Sequence, residues 1–289
     1  MEYKYIKYEA GKVARIILNR PRYRNALSTV LLEEMDDAFG QAMADEEVRV
    51  VVLSAEGDHF SSGDDLGTPD ELADQQERGR PTDGEGRYKR SRENYLERAL
   101  HWRNLEKPTI AMVQGYCIYG AWMFASAMDI IFASEDALFL PAHTECFSAP
   151  WDIGPRKAKE VLFEHRFMTA YEACEQHFVN RVYSRDRLEE ETLAYANRVA
   201  ENDPFRLRLL KFSINHMVDT MGYRAETEDA FHTYSIQSEL AWNTGKRNRD
   251  QRQIAQASVA LKNLQLSLKY QRTEGQLPDF VTSGPDSSS

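Results

Sequence analysis

The chain has 289 residues, room for one large domain or two small ones. Its 36 Lys plus Arg against 46 Asp plus Glu give a formal net charge of −10, which argues against a nucleic-acid binder with a broad basic face but not against a local basic pocket. Three scattered cysteines without a Cys-x-x-Cys disfavour a disulfide framework or a structural zinc.

The first residues, Met1 to Tyr8, are charged and aromatic and carry no apolar signal core. Apolar stretches such as Val50–Leu53 and Met128–Ala133 are far too short to span a membrane. A cytoplasmic protein is the expectation. Val13–Leu18 is rich in β-branched residues and stops at Asn19-Arg20-Pro21, a strand and then a turn. Ser28 can cap a helix that places Leu31, Leu32, Met35, Ala38, Phe39 and Met43 on roughly one face. Val48–Ser54 is nearly continuous apolar sequence, which suits a strand buried on both sides. Leu66 to Tyr95 mixes glycine, proline and charge. It reads as a long surface excursion, mobile at least in part, and either inert or a lid.

Thr109–Val113, Asp129–Ala133 and Ala137–Leu140 are further strand candidates, with a helical run at Ala121–Met128. Strands joined by connections of crossover length argue for an α/β fold. Beyond about residue 185 the pattern is helical: Leu188–Glu201, Pro204–Met217, Glu226–Trp242 and Ile254–Leu268. Thr282–Ser289 is a polar tail expected to fray.

Two glycine turns carry the candidate chemistry. His59 to Leu66 follows the buried strand, and Gln114 to Ala121 precedes a helix. A strand–glycine–helix turn leaves backbone N–H groups free to hold a negative oxygen. Two such turns meeting at one point would stabilise an oxyanion, although tight turns also need glycine for purely local reasons.

The same residues bear a resemblance. Asn19-Arg20-Pro21 with Asn25-Ala26-Leu27, Phe60-Ser61-Ser62-Gly63-Asp64-Asp65-Leu66, Lys107-Pro108-Thr109-Ile110-Ala111 with Gly115-Tyr116 and Gly120, Asp129 to Ala133, and Met168 to Val182 stand in order and spacing across roughly residues 12–185. Together they resemble the enoyl-CoA hydratase/isomerase (crotonase) superfamily. The resemblance implies an α/β spiral of ββα turns over residues 1–195, holding the CoA site and the oxyanion hole. Residues 196–289 would be a C-terminal helical oligomerisation region and tail. It implies an acyl-CoA thioester as substrate, coenzyme A as part of that substrate, no other cofactor or metal, and a homotrimer or dimer of trimers. The thioester oxygen would be held by the backbone N–H groups of Asp64 and Gly120. The Asp64 side chain has no role in this scheme; as a like charge it should point away from the enolate or be paired.

The pattern also breaks. Hydratases of the family use two glutamates, and here those positions hold Met123 and His143. Met cannot move a proton. His143 can near neutral pH, with Asp152 as the carboxylate that orients it; alone, it reads as an ordinary loop histidine beside Pro141. Glu145 is a second candidate acid/base. Ser62, Asp65, Tyr116, Tyr119, Met123 and Trp151 are candidates for the substrate side, with Tyr119 narrowing the acyl pocket and Trp151 shaping it. Arg22 and Arg24, beside Arg20, are either a solvated turn or contacts for CoA phosphates. The leading expectation is an enoyl-CoA hydratase-like lyase that stabilises a thioester enolate, acting on a bulky or cyclic acyl group. The rivals are hydrolytic carbon–carbon cleavage of a β-keto or β-diketone substrate by His143 and Asp152, double-bond isomerisation, and a non-catalytic CoA-binding protein.

Overall fold

A computed structural model describes residues 3–79, 81, 83–141, 147–243 and 259–264. The chain starts with β1 (Ile6–Glu9) and β2 (Val13–Leu18), an antiparallel pair with Ile6 opposite Leu18. A 3-10 turn over Pro21–Tyr23 leads to α1 (Thr29–Ala44). Ser28 caps α1 by accepting from the Leu31 N–H at 3.3 Å, and Leu31, Leu32, Met35, Ala38 and Phe39 are buried. The leucine, methionine and phenylalanine side chains contribute roughly 1.5–3 kcal/mol each when fully buried. β3 (Val50–Ala55) is buried at every position.

The stretch read as a surface excursion is largely helical instead. It forms α2 (Pro69–Arg78), α3 (Gly84–Ser91), a π-helical turn over Arg92–Glu97 and α4 (Arg98–Arg103). Its glycines and prolines sit at helix ends: Pro69 in the first turn of α2, Gly79 at its C-cap and Gly84 opening α3. At those places the two residues are helix-compatible.

β4 (Thr109–Val113), β5 (Tyr116–Ile118), α5 (Gly120–Ser126), β6 (Ile130–Ser134) and β7 (Leu138–Leu140) follow. Then come α6 (Ala149–Ile153), α7 (Pro155–Glu164), β8 (Met168–Thr169), α8 (Ala170–Glu175) and β9 (Arg181–Tyr183). The chain continues as α9 (Leu188–Ala200), α10 (Pro204–Thr220) and α11 (Tyr223–Asn243).

Six strands form one sheet in the order β1-β2-β3-β4-β6-β9, parallel from β2 onward. β5, β7 and β8 form a second. The chain thus alternates between sheets: β4 to β5, β6 to β7, β8 to β9. This is the spiral of strand, strand and helix. Val51 and Leu53 face the main core with Phe39, Trp102 and Phe124. Val50, Val52, Ile110 and Phe132 face the other way, onto Leu188, Ala196 and Ala200 of α9. A parallel sheet covered on both faces accounts for the unbroken apolar run of β3. The boundary drawn at residue 195 falls inside α9, a helix that packs on the sheet. Among the described residues no helix is long and apolar enough to cross a membrane.

Candidate active site

The first glycine turn is tied into the opening loop by side chains. Asn25 takes a left-handed backbone (φ 52°) and donates from Nδ2 to the carbonyls of Glu56 and His59, at 2.9 and 2.8 Å. Ser61 Oγ donates to the Asn25 carbonyl at 2.7 Å and accepts from the Gly63 N–H at 3.1 Å. Asp65 accepts from Arg20 at 3.0 Å, from the Thr68 hydroxyl at 2.6 Å, and from the N–H groups of Gly67 and Thr68. Arg20 is buried between the rings of Tyr5 and Tyr23.

The second turn is shaped by its backbone. Gly115 has φ 55°, and a Cβ there would stand 2.2 Å from the Asp58 carbonyl oxygen. Tyr119 has φ 53° and ψ −113°, a conformation that suits glycine, and it directly precedes Gly120 at the start of α5. The N–H of a helix's first residue has no acceptor within that helix.

The two turns lie against each other. Ser61 donates its N–H to the Tyr116 carbonyl at 2.9 Å, and Ile118 donates to the Ser61 carbonyl at 3.2 Å. A Cβ on Gly63 would stand 2.5 Å from the Ile118 carbonyl oxygen. One on Gly120 would stand 2.7 Å from Asp64 Oδ1 and 3.1 Å from Leu27 Cδ1. Asp64 and Gly120 are therefore neighbours. The Asp64 carboxylate lies against Gly120.

A small pocket opens at this junction, lined by Asp64, Tyr95, Gly120, Met123, Phe147 and Tyr234. Asp64, Tyr95 and Tyr234 also line a wider cleft of about 950 Å³. Its walls come from α1, the helical excursion and α11, where Arg87 of α3 forms a two-pronged ion pair with Glu239 of α11 at 2.8–2.9 Å. Arg90 donates to Thr29 at 2.9 Å and to buried Glu71 at 3.2 Å. The excursion is thus a wall of the cleft.

The family profile of enoyl-CoA hydratase/isomerase matches residues 8–253. The chain belongs to the enoyl-CoA hydratase/isomerase family. EchA13 of Mycobacterium tuberculosis, which carries the enoyl-CoA hydratase name as a candidate assignment, is 36% identical over 81% of each chain. A probable enoyl-CoA hydratase from Mycobacterium thermoresistibile is 39% identical, with a TM-score of 0.77 over 83% of this chain and 97% of that one. An enoyl-CoA hydratase/isomerase from Xanthobacter autotrophicus Py2 is 30% identical, with a TM-score of 0.75 over 96% and 100%. The crotonase-type fold and an enzyme of the hydratase/isomerase class follow from these likenesses.

Within this family frame, Asp64, Gly120 and Met123 come together at one pocket, and several other candidates lie elsewhere. His143 and Glu145 lie outside the described residues. Asp152 accepts from Trp122 Nε1, Ser126 Oγ and Ser148 Oγ, each at 2.8 Å. Burial pushes its pKa up to about 6, opposed by those three hydrogen bonds. It anchors α6 to α5. Asp65, expected at the substrate, has a side chain only 1% exposed and is committed to Arg20. Burial raises its pKa, but the bonds from Thr68, Gly67 and Arg20 outweigh this and hold it below the usual carboxylate range.

The Tyr119 ring packs beside His165, 6.5 Å between centroids, and does not line either cleft described above. Tyr116 stacks on His59 at 4.3 Å, with Phe167 on its other side at 5.8 Å. Trp151 donates from Nε1 to Glu226 at 3.0 Å and meets Tyr223, so it fastens α6 to α11, and it lines neither cleft described above. Ser62 donates its N–H to the Arg24 carbonyl at 2.9 Å. Arg22 and Arg24 are exposed on the opening loop. Sequence reasoning missed Tyr95, Phe147 and Tyr234, which only long-range packing brings to the pocket. Among the described residues, no group of three or more His, Cys, Asp or Glu could hold a metal ion.

Proposed function

We propose that the chain binds an acyl-CoA thioester with its carbonyl oxygen between the backbone N–H groups of Asp64 and Gly120 and stabilises the thioester enolate. The observation that carries this reading is the meeting of the two glycine turns at one pocket. Donors fixed in a water-poor site act where charge develops and need no reorganisation when it does. In broad class the reaction is enoyl-CoA hydratase-like. The wide cleft gives room for a bulky or cyclic acyl group. The exposed arginines Arg22 and Arg24 would meet the CoA phosphates, and no cofactor beyond the CoA of the substrate is required. Exposed Phe205, Phe212, Ile214, Met217 and Met221 on and just after α10 favour a homotrimer or dimer of trimers.

Gly120→Pro deletes one of the two donors. It should lower turnover about a hundredfold or more, measured on a panel of enoyl-CoA thioesters with mass spectrometry of the products. Full activity would sink the reading. Hydration adds one water to the product mass, whereas isomerisation leaves the mass unchanged. A specific observation favours isomerisation as the second reading. Met123 replaces one of the paired hydratase carboxylates, while isomerisation needs a single acid/base group.

A further inference from the structure

Among the described residues lining the small pocket, Asp64 is the only carboxylate. Its Oδ1 is 2.7 Å and its Cγ 3.8 Å from the place a Cβ on Gly120 would take. The residue that offers one backbone N–H to the thioester oxygen thus holds its acid against the residue that offers the other. Met123, three residues along α5, lines the same pocket and carries no titratable group. Tyr95, Phe147 and Tyr234 close the remaining sides.

We propose that the Asp64 carboxylate is a catalytic residue, the group that removes and returns the substrate proton at this pocket. This rests on the acyl-CoA reading above. A thioester whose oxygen lies between the N–H groups of Asp64 and Gly120 sets its α-carbon at the mouth of the pocket that the Asp64 carboxylate lines. The carboxylate takes the α-proton, and the C–H electron pair becomes the carbon–carbon double bond of the enolate. The carbonyl π pair moves onto the oxygen held by the two N–H groups. The neutral acid then returns its proton to the α-carbon, which is exchange. With a 3-enoyl thioester it returns the proton to the γ-carbon, which is isomerisation to the 2-enoyl thioester. No other reactant is consumed.

The charge balance removes the objection to an acid at this place. A carboxylate beside an enolate would repel it. Here the carboxylate becomes neutral as the enolate forms, so one negative charge moves across the pocket and the two anions never coexist.

The test uses the full chain in D2O with butyryl-CoA and 3-hexenoyl-CoA as probes. Mass spectrometry reads α-deuterium uptake, and chromatography reads the 2-enoyl product. Asp64→Asn keeps the backbone N–H and the shape. It should still bind butyryl-CoA with Kd near that of the wild-type protein, but lose exchange by about 10²–10⁴-fold. Asp64→Glu should recover part of it. The wild-type exchange rate should fall about tenfold per pH unit below the pKa of the group. That limb should be absent from the residual rate of Asp64→Asn.

An Asp64→Asn protein that exchanges within about tenfold of the wild-type protein overturns the proposal and leaves the acyl-CoA reading standing. Wild-type protein that binds butyryl-CoA but exchanges no α-hydrogen and isomerises no 3-hexenoyl-CoA also overturns it. Wild-type protein that binds neither thioester overturns the acyl-CoA reading as well. If Asp64→Asn does not fold, the wild-type pH profile and Asp64→Glu decide, and a flat profile with an inactive Asp64→Glu overturns the proposal.

Discussion

Behind each glycine turn stands a buried carboxylate, Asp65 at the first and Asp152 at the second, and these two behave in opposite ways. Behind the first turn, Asp65 faces the guanidinium of Arg20 at 3.0 Å, with side chains 1% and 2% exposed. Behind the second, Asp152 faces three neutral donors, Trp122, Ser126 and Ser148. Burial acts against ionisation at both. Hydrogen bonds and the cation more than offset it at Asp65, whose pKa falls. Neutral donors do not offset it at Asp152, whose pKa rises to about 6. Asp65 gathers a hydroxyl, two backbone N–H groups and a guanidinium, and this larger set of donors outweighs burial where the three side-chain donors of Asp152 do not. The first turn is held by Asn25, Ser61 and the Asp65–Arg20 pair, the second by backbone shape and its contacts with the first.

The largest break in this comparison is Arg20→Met. It leaves Asp65 buried with its ionic partner gone, and breaking a buried pair from one side typically costs about 3–5 kcal/mol. The expected outcome is a loss of that size in urea unfolding near pH 7, together with loss of turnover as the first turn loses its anchor. Removing both members, Arg20→Met with Asp65→Leu, should recover much of the stability. A double variant as unstable as Arg20→Met would show that the arginine acts through its packing on Tyr5 and Tyr23 and not through its charge.

Next in size is Asp152→Asn. Its folded pKa of about 6 lies above the ordinary aspartate value of 3.8, so between these two values the folded protein holds more protons than the unfolded chain. Stability contributed by this group therefore falls as pH rises through that window. The full cost, on the order of 3 kcal/mol, is present above about pH 6. Asp65 contributes with the opposite sign: its folded pKa is depressed, so its contribution is lost as pH falls through that folded value. In Asp152→Asn the decline between about pH 4 and 6 should disappear from urea melts taken across that range. An unchanged pH slope would mean that the three neutral donors hold the ionised form after all.

These carboxylates also mark how far the sequence could be read. β2 and β4 run over the residues their β-branched content indicates. α1 begins after Ser28 because the serine caps it. β1 escaped notice because Ile6 and Tyr8 alternate with Lys7 and Glu9 at a sheet edge, too short a pattern to stand out. The excursion was misread because glycine and proline break helices in their middles but start and stop them at their ends. At the site, the glycine turns were legible since their conformations demand glycine locally. The destinations of Asp65, Trp151 and Tyr119 depend on Arg20, α11 and α7, contacts set by tertiary packing. The direction of the Asp64 carboxylate was likewise beyond sequence reach.

The smallest expected effect belongs to Tyr119→Phe, and it tests whether the second turn depends on any polar side chain of its own. Its hydroxyl lies 3.5 Å from His165 Nε2, at the long limit for a hydrogen bond. Its ring is buried, and its N–H donates to the Leu140 carbonyl at 2.9 Å, a bond the variant keeps. The variant also keeps φ 53° and the ring that packs beside His165. The change should cost no more than about 1 kcal/mol in thermal or urea unfolding. kcat/KM on any active enoyl-CoA thioester should stay within about threefold, since a factor of three is well under 1 kcal/mol. A tenfold fall in kcat/KM, or a shift in preferred acyl length, would place the phenol on the path of the acyl chain. The second turn would then owe its function to a polar side chain, as the first does, and the contrast between the two would narrow.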